Sequence, residues 1–188
     1  VLRKTALWLF ERHPEMANEM AGFLKKQLAR AAALSNEERT ELERQLAGFS
    51  HDPAVQQVMT DALATEARAT RWLVFDAIAG ASIKKIPTAW GKAVESELAG
   101  RDEAVTRAAL NAAHTLGRAA KSKAFNAALL NMARDGNRSP ELRLNAIAAI
   151  SQLPARLDNA VFAFLQTQIA PDQPAMRRAS AASQSGLV

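Results

Sequence analysis

The feature that most constrains this chain is a recurring frame. "TRAALNAAHTLG" (106–117), "LRLNAIAAISQL" (142–153) and "MRRASAASQSGL" (176–187) each place an arginine second, with small or apolar residues three and six positions later. "TRWLVFDAIAGA" (70–81) and "LRKTALWLFERH" (2–13) fit the same frame. The arginines are Arg3, Arg71, Arg107, Arg143 and Arg177; adjacent spacings are 36, 36 and 34, and the gap from Arg3 to Arg71 is 68. Arg39 falls within that gap, although "ERTELERQL" fits poorly and "DPAVQQVMTDAL" (52–63) competes for the frame. A helix pair returning every 34–40 residues or so is the period of an α-solenoid. Such a pair is apolar on two sides and buries both only by stacking on its neighbours.

The periodicity within each unit is helical. No stretch alternates with period two over a strand's length, alanine is abundant, and apolar residues recur at i, i+3, i+4 and i+7. The pattern predicts helices near 2–13, 15–31, 36–48, 53–65, 68–84, 88–99, 103–118, 122–134, 140–152, 158–169 and 174–184. The prolines at 14, 53, 87, 140, 154, 171 and 174 fall between these segments or in a first turn, where a missing N–H costs nothing. Gly100, Gly117 and Gly136 sit near segment ends. "SNEE" at 35–38 reads as a helix start, and Ser139 with Pro140 as another. Short connections make consecutive helices antiparallel neighbours. The expected fold is all-α: a right-handed superhelix of about five helix pairs in one domain over 1–188. The arginine column sits at helix starts, in reach of preceding carboxylates or carbonyls. Because Asp102 and Asp135 precede Arg107 and Arg143, the expectation is an Arg–Asp ladder between repeats.

"LLNMARDGNRSPELRLNAIAAI" (129–150) and "LAGFSHDPAVQQVMTDAL" (46–63) resemble the HEAT repeat: an apolar helix, an Asp-containing turn, then an Arg-led, Ala-rich helix. That resemblance covers nearly the whole chain and implies a scaffold of the HEAT/armadillo class. A second likeness runs through "ALWLFERHPEMANEMAGFLKKQL" (6–28), "FSHDPAVQQVM" (49–59) and "RWLVFDAIAGASIKKIPTAW" (71–90). These segments are similar to the HEAT-like region of large bacterial membrane-bound dehydrogenases, where it lies between a β-propeller and a c-type haem domain. The likeness implies a connector excised from a larger oxidoreductase, extracytoplasmic or periplasmic, whose partners are neighbouring domains of its own chain. The haem would belong to another domain, since this chain has no cysteine and so no Cys-x-x-Cys-His attachment.

Searching the sequence for chemistry returns little. His13, His51 and His114 are far apart and form no His-x-x-x-His pair. There is no Gly-x-Ser-x-Gly elbow and no glycine-rich phosphate loop. No catalytic, cofactor-binding or metal-ligating residue is therefore assigned. Lys84 and Lys85 read as cations at a helix C-terminus, where the dipole favours them. The longest mostly apolar run, 72–83, contains Asp76 and is too short to span a bilayer.

Trp72 and Asp76 are the departures from the small, apolar frame. They stand at i,i+4 on one helix, an aromatic face beside a carboxylate. Some HEAT-like DNA glycosylases use such a pair to stabilise a cationic alkylated base, so a nucleic-acid-binding function is the alternative to the scaffold. The isoelectric point of about 10.0 fits that alternative. The charge distribution does not: residues 1–100 hold 13 Lys/Arg and 13 Asp/Glu, and the excess lies in 101–188, with 11 against 6. In the repeat frame Asp76 is in register with Trp8, Ala112, Ala148 and Ala182, which predicts close contact with a neighbouring helix. A half-buried carboxylate needs a partner from another element, and the arginine column is the expected source.

Overall fold

The helix starts read from the sequence are made by side chains. In the computed structural model, which describes residues 14–83, 85–117, 123–150 and 159–185, the Ser35 hydroxyl accepts from the Glu38 N–H at 3.2 Å. The Glu38 carboxylate accepts in return from the Ser35 N–H at 2.8 Å, completing a capping box. Asp52 caps the next helix through the Ala54 and Val55 amides, with Pro53 at its first position. Ser139 accepts from the Leu142 N–H, with Pro140 at the first position there too. Asp102 accepts from Ala104 and Val105. Each such cap is worth about 1 kcal/mol.

Ten helices follow among the described residues, with no strand: α1 (Pro14–Ala29), α2 (Asn36–Phe49), α3 (Pro53–Leu63), α4 (Arg68–Ala79), α5 (Thr88–Leu98), α6 (Glu103–Gly117), α7 (Lys123–Arg134), α8 (Pro140–Ala149), α9 (Asn159–Ile169) and α10 (Ala175–Ser185). A 3₁₀ turn, Ala31–Ala33, separates α1 from α2, where the sequence pattern ran helix on to residue 31. The helix expected over 2–13, with Arg3, Trp8 and His13, lies outside the described residues. Two expected helices end early. α4 stops at Ala79, not 84: the Gly80 N–H makes the last ladder bond to Asp76 O, and the Ala81 N–H turns back to Ile78 O instead of continuing it. Lys85 therefore stands in a loop and not at a helix end; Lys84 lies outside the described residues. α8 stops at Ala149, where Ile150 is extended.

The chain divides into two compact units, Val1–Ala119 and Ala120–Val188. Within the first, each helix packs on the one two places along: α2 on α4 and α4 on α6 in one row, α1 on α3 and α3 on α5 in the other. Between the rows, α3 packs on α4 and α5 on α6. The apolar arc of α4 (Leu73, Val74, Phe75, Ala77 and Ile78) is wholly buried, as its periodicity predicts. α4 packs on α6, whose buried residues include Val105, Ala108, Ala109 and Ala112, small side chains that suit close helix approach. Trp90 of α5 is the largest fully buried side chain; its indole N–H donates to Thr60 Oγ1 at 3.0 Å, so its one polar atom is satisfied. In the second unit α7 packs on α8, α9 on α10, α8 on α10 and α7 on α9, around Phe125, Leu129, Leu142, Leu144, Ile147 and Leu165. The expected all-α class holds among the described residues.

Candidate binding cleft between α2 and α4

Among the described residues, Arg71, Arg107 and Arg177 make ion pairs with glutamates where an Arg–Asp ladder expected aspartates. Arg71 Nη1 meets Glu97 of α5 at 3.2 Å, and the Glu97 side chain is only 6 % exposed. Arg107 meets Glu103 of its own helix. Arg143 Nε donates to the Ala133 carbonyl at 2.8 Å, near the C-terminus of α7 where the dipole favours a cation, and its guanidinium lies 3.6 Å from the centroid of the Phe164 ring. Arg177 meets Glu141 at 3.7 Å. Of the aspartates expected to pair with the column, Asp102 meets Arg68, and Asp135 meets Arg138 while its charge still acts on Arg143. The arginine frame is a helix-start register whose partners differ from helix to helix, within the same helix for Arg107 and on other helices for Arg71, Arg143 and Arg177. Arg3 lies outside the described residues.

The Arg71–Glu97 pair depends on a glycine. A Cβ at Gly100 would come within 2.5 Å of Glu97 Oε1 and 2.9 Å of the Glu97 carbonyl. The bare Cα of Gly100 lets the carboxylate fold back over the end of α5 and still reach Arg71.

Asp76 faces α2 and not α5. It lines a cleft of about 650 Å³ with Glu43, Thr40 and Arg44 of α2, floored by Met20, Ala47 and Phe49. Gly80 closes one end, where Ala47 Cβ approaches to 3.6 Å of a Cβ placed on it. Trp72 of α4 is covered by Arg39 of α2, whose guanidinium carbon is 4.7 Å from the ring centroid. Burial pushes the Asp76 carboxyl above the usual aspartate range. The Glu43 carboxyl is raised as well, first by burial and then by the Asp76 charge, against a weaker pull from Arg39. Among the described residues neither carboxylate has an ion-pair partner. The other nearby cation, Arg44, is held in a fork by Glu41 at 2.6 and 2.8 Å.

Trp72 and Asp76 therefore both face α2, as their spacing allows, but the arginine expected to meet Asp76 is replaced by a second acid. The repeat register also fails as a guide here, since Ala112 is fully buried and Ala148 is exposed. Glu43 and Arg39 gave no signal in the sequence beyond standing at i,i+4 in "ERTELERQL", the segment that fits the frame worst. His51 and His114 lie on different elements, and no group of three potential metal ligands occurs among the described residues. No helix among them is long and apolar enough to cross a membrane. The chain matches no protein-family model, no curated protein and no solved structure.

Proposed function

We propose that the chain is a non-enzymatic, HEAT-like scaffold or spacer that mediates protein contacts within a larger protein. The finer fold reading that goes with it is a right-handed α-α superhelix of about five HEAT-like helix pairs. The observation that supports this most is the packing order of the first unit, in which every helix from α1 to α4 packs on the helix two places along. That order is how a solenoid buries both faces of each pair. The resemblance to bacterial membrane-bound dehydrogenases makes the partners the domains on either side, one of them haem-bearing, and places the protein outside the cytoplasm. Mixing the isotope-labelled 188-residue chain with those neighbouring domains tests it. The reading expects amide shifts confined to one face, and turnover by the segment itself would contradict it.

The nucleic-acid alternative draws on Trp72 and Asp76, and the cleft supports it less. Glu43 adds a second negative charge beside Asp76, which repels a phosphate backbone, and Arg39 already covers a face of Trp72. Binding of a DNA duplex at low salt, weakening steeply as salt is added, would revive that alternative.

A further inference from the structure

Another cavity, of about 290 Å³, lies among α3, α4 and α5 of the first unit. Leu63 of α3 and Phe75 of α4, both buried, supply apolar lining. Arg71 of α4 and Lys92, Ser96 and Glu97 of α5 supply the polar lining. The Glu97 carboxylate is held by Arg71 Nη1 at 3.2 Å. Lys92 has no ion-pair partner among the described residues, so two cations and one carboxylate leave the cavity with one positive charge over. The Arg71 side chain is 29 % exposed, yet its Nε–H is buried and has no hydrogen-bond partner among the described residues. A buried N–H without an acceptor costs stability. An acceptor oxygen brought to this guanidinium removes that cost as well as adding a bond.

We propose that this cavity binds a small monocarboxylate, a short apolar body ending in one carboxylate. The volume is at the lower end for ligand sites, which limits the ligand to about ten non-hydrogen atoms. The carboxylate accepts from the Arg71 guanidinium, its charge balances Lys92, and the Ser96 hydroxyl is a further donor. The apolar body rests on Leu63 and Phe75. Glu97 sets the selectivity. A dianion such as phosphate exceeds the one uncompensated positive charge and meets a buried carboxylate, while a cation meets Arg71 and Lys92. The same chemistry occurs in a free short-chain acid and at the carboxyl end of a polypeptide whose last residue is apolar. The site is complete within α3, α4 and α5, so it stands or falls apart from the scaffold reading.

Amide NMR titration of the labelled 188-residue chain with hexanoate, and separately with N-acetylglycylglycylleucine, tests it. At least one probe should give saturable shifts confined to residues around the cavity, half-complete on the order of 1 mM. Saturation by hexanoate makes the ligand a free acid; saturation by the peptide alone makes it a chain end. The corresponding amides, hexanamide and the peptide amide, should bind about tenfold more weakly, having lost the charge. Lys92 is exposed, so Lys92→Met should fold and weaken binding about fivefold, the upper end for an exposed ion pair. Ala93→Leu, which fills the cavity from α5, should abolish binding. If Ala93→Leu does not fold, Lys92→Met decides. The site is overturned if neither probe saturates, if the amides bind as well as the acids, or if Lys92→Met leaves the affinity unchanged.

Discussion

Arg71 and Asp76 stand five residues apart on α4, and their surroundings differ in kind. Arg71 points to α5 and finds a nearly fully buried carboxylate, Glu97, held over a glycine. Asp76 points to α2 and finds a second acid in an open cleft. On the α5 side opposite charges are desolvated together, so removing Arg71 leaves the buried Glu97 carboxylate without that cation. On the α2 side like charges are crowded, so removing one relieves the other. The same helix thus carries a fixed contact and a tunable one, and the difference lies in what the neighbouring helix presents.

The largest effect should come from breaking the fixed contact. Arg71→Met leaves Glu97 buried without this cation and should cost about 2 kcal/mol in urea unfolding, below the range for fully buried pairs because Arg71 is partly exposed. Adding Glu97→Leu to Arg71→Met should recover part of that loss. An unrecovered loss would mean that the pair contributes through packing and not charge. Gly100→Ala comes next, at about 1 kcal/mol, because the new Cβ displaces the Glu97 carboxylate. In the Arg71→Met background its cost should shrink, since the two substitutions disturb one contact.

On the tunable side the sign reverses. Asp76→Asn should stabilise the chain by about half a kcal/mol near neutral pH, where both cleft carboxylates are ionised. The smallest effect should be that of Arg39→Met, roughly half a kcal/mol of lost stacking on Trp72. Its sharper signature is a further rise in the Glu43 midpoint, because Arg39 pulls that carboxyl down.

The two classes of carboxyl also predict opposite pH dependence. Asp102, despite some opposing burial, is held below its usual value by the Val105 and Ala104 amides and by Arg68. Asp135 is held down by the Asn137 amide first and by Arg138. For these groups the unfolded chain binds protons more readily, so their stabilisation is present above the ordinary aspartate value of 3.8 and is lost as pH falls through their lower folded values. Glu43 and Asp76 have raised folded values, so the folded chain binds protons more readily. Their contribution improves as pH falls through those raised values towards the ordinary 4.5 and 3.8.

Much of the fold was legible in the sequence because it is written in local rules. Period-3.6 patterning fixed the buried arc of α4, and Ser35, Asp52 and Ser139 became caps because hydroxyl and carboxylate oxygens satisfy the free amides of a first turn. The partners of charged side chains were not legible. Arg68 and Arg71 are one turn apart, and nothing in their spacing says that the first takes Asp102 and the second Glu97. That choice depends on where α5 and the start of α6 come to lie. The pairing of Asp76 with Glu43 was hidden for the same reason. Trp90, the largest side chain in the core, carried no flag, whereas Trp72 drew notice by standing beside an acid.

Asp76 of α4 lines the cleft with Glu43 of α2 and has no ion-pair partner among the described residues. The most direct measurement is urea unfolding of wild type and Asp76→Asn across pH. Asp76→Asn is expected to be the more stable near pH 7, with the difference shrinking as pH falls through the raised Asp76 value. A destabilised Asp76→Asn near neutral pH, with a deficit that shrinks as pH falls, would show that Asp76 has a cationic partner and contradict the account.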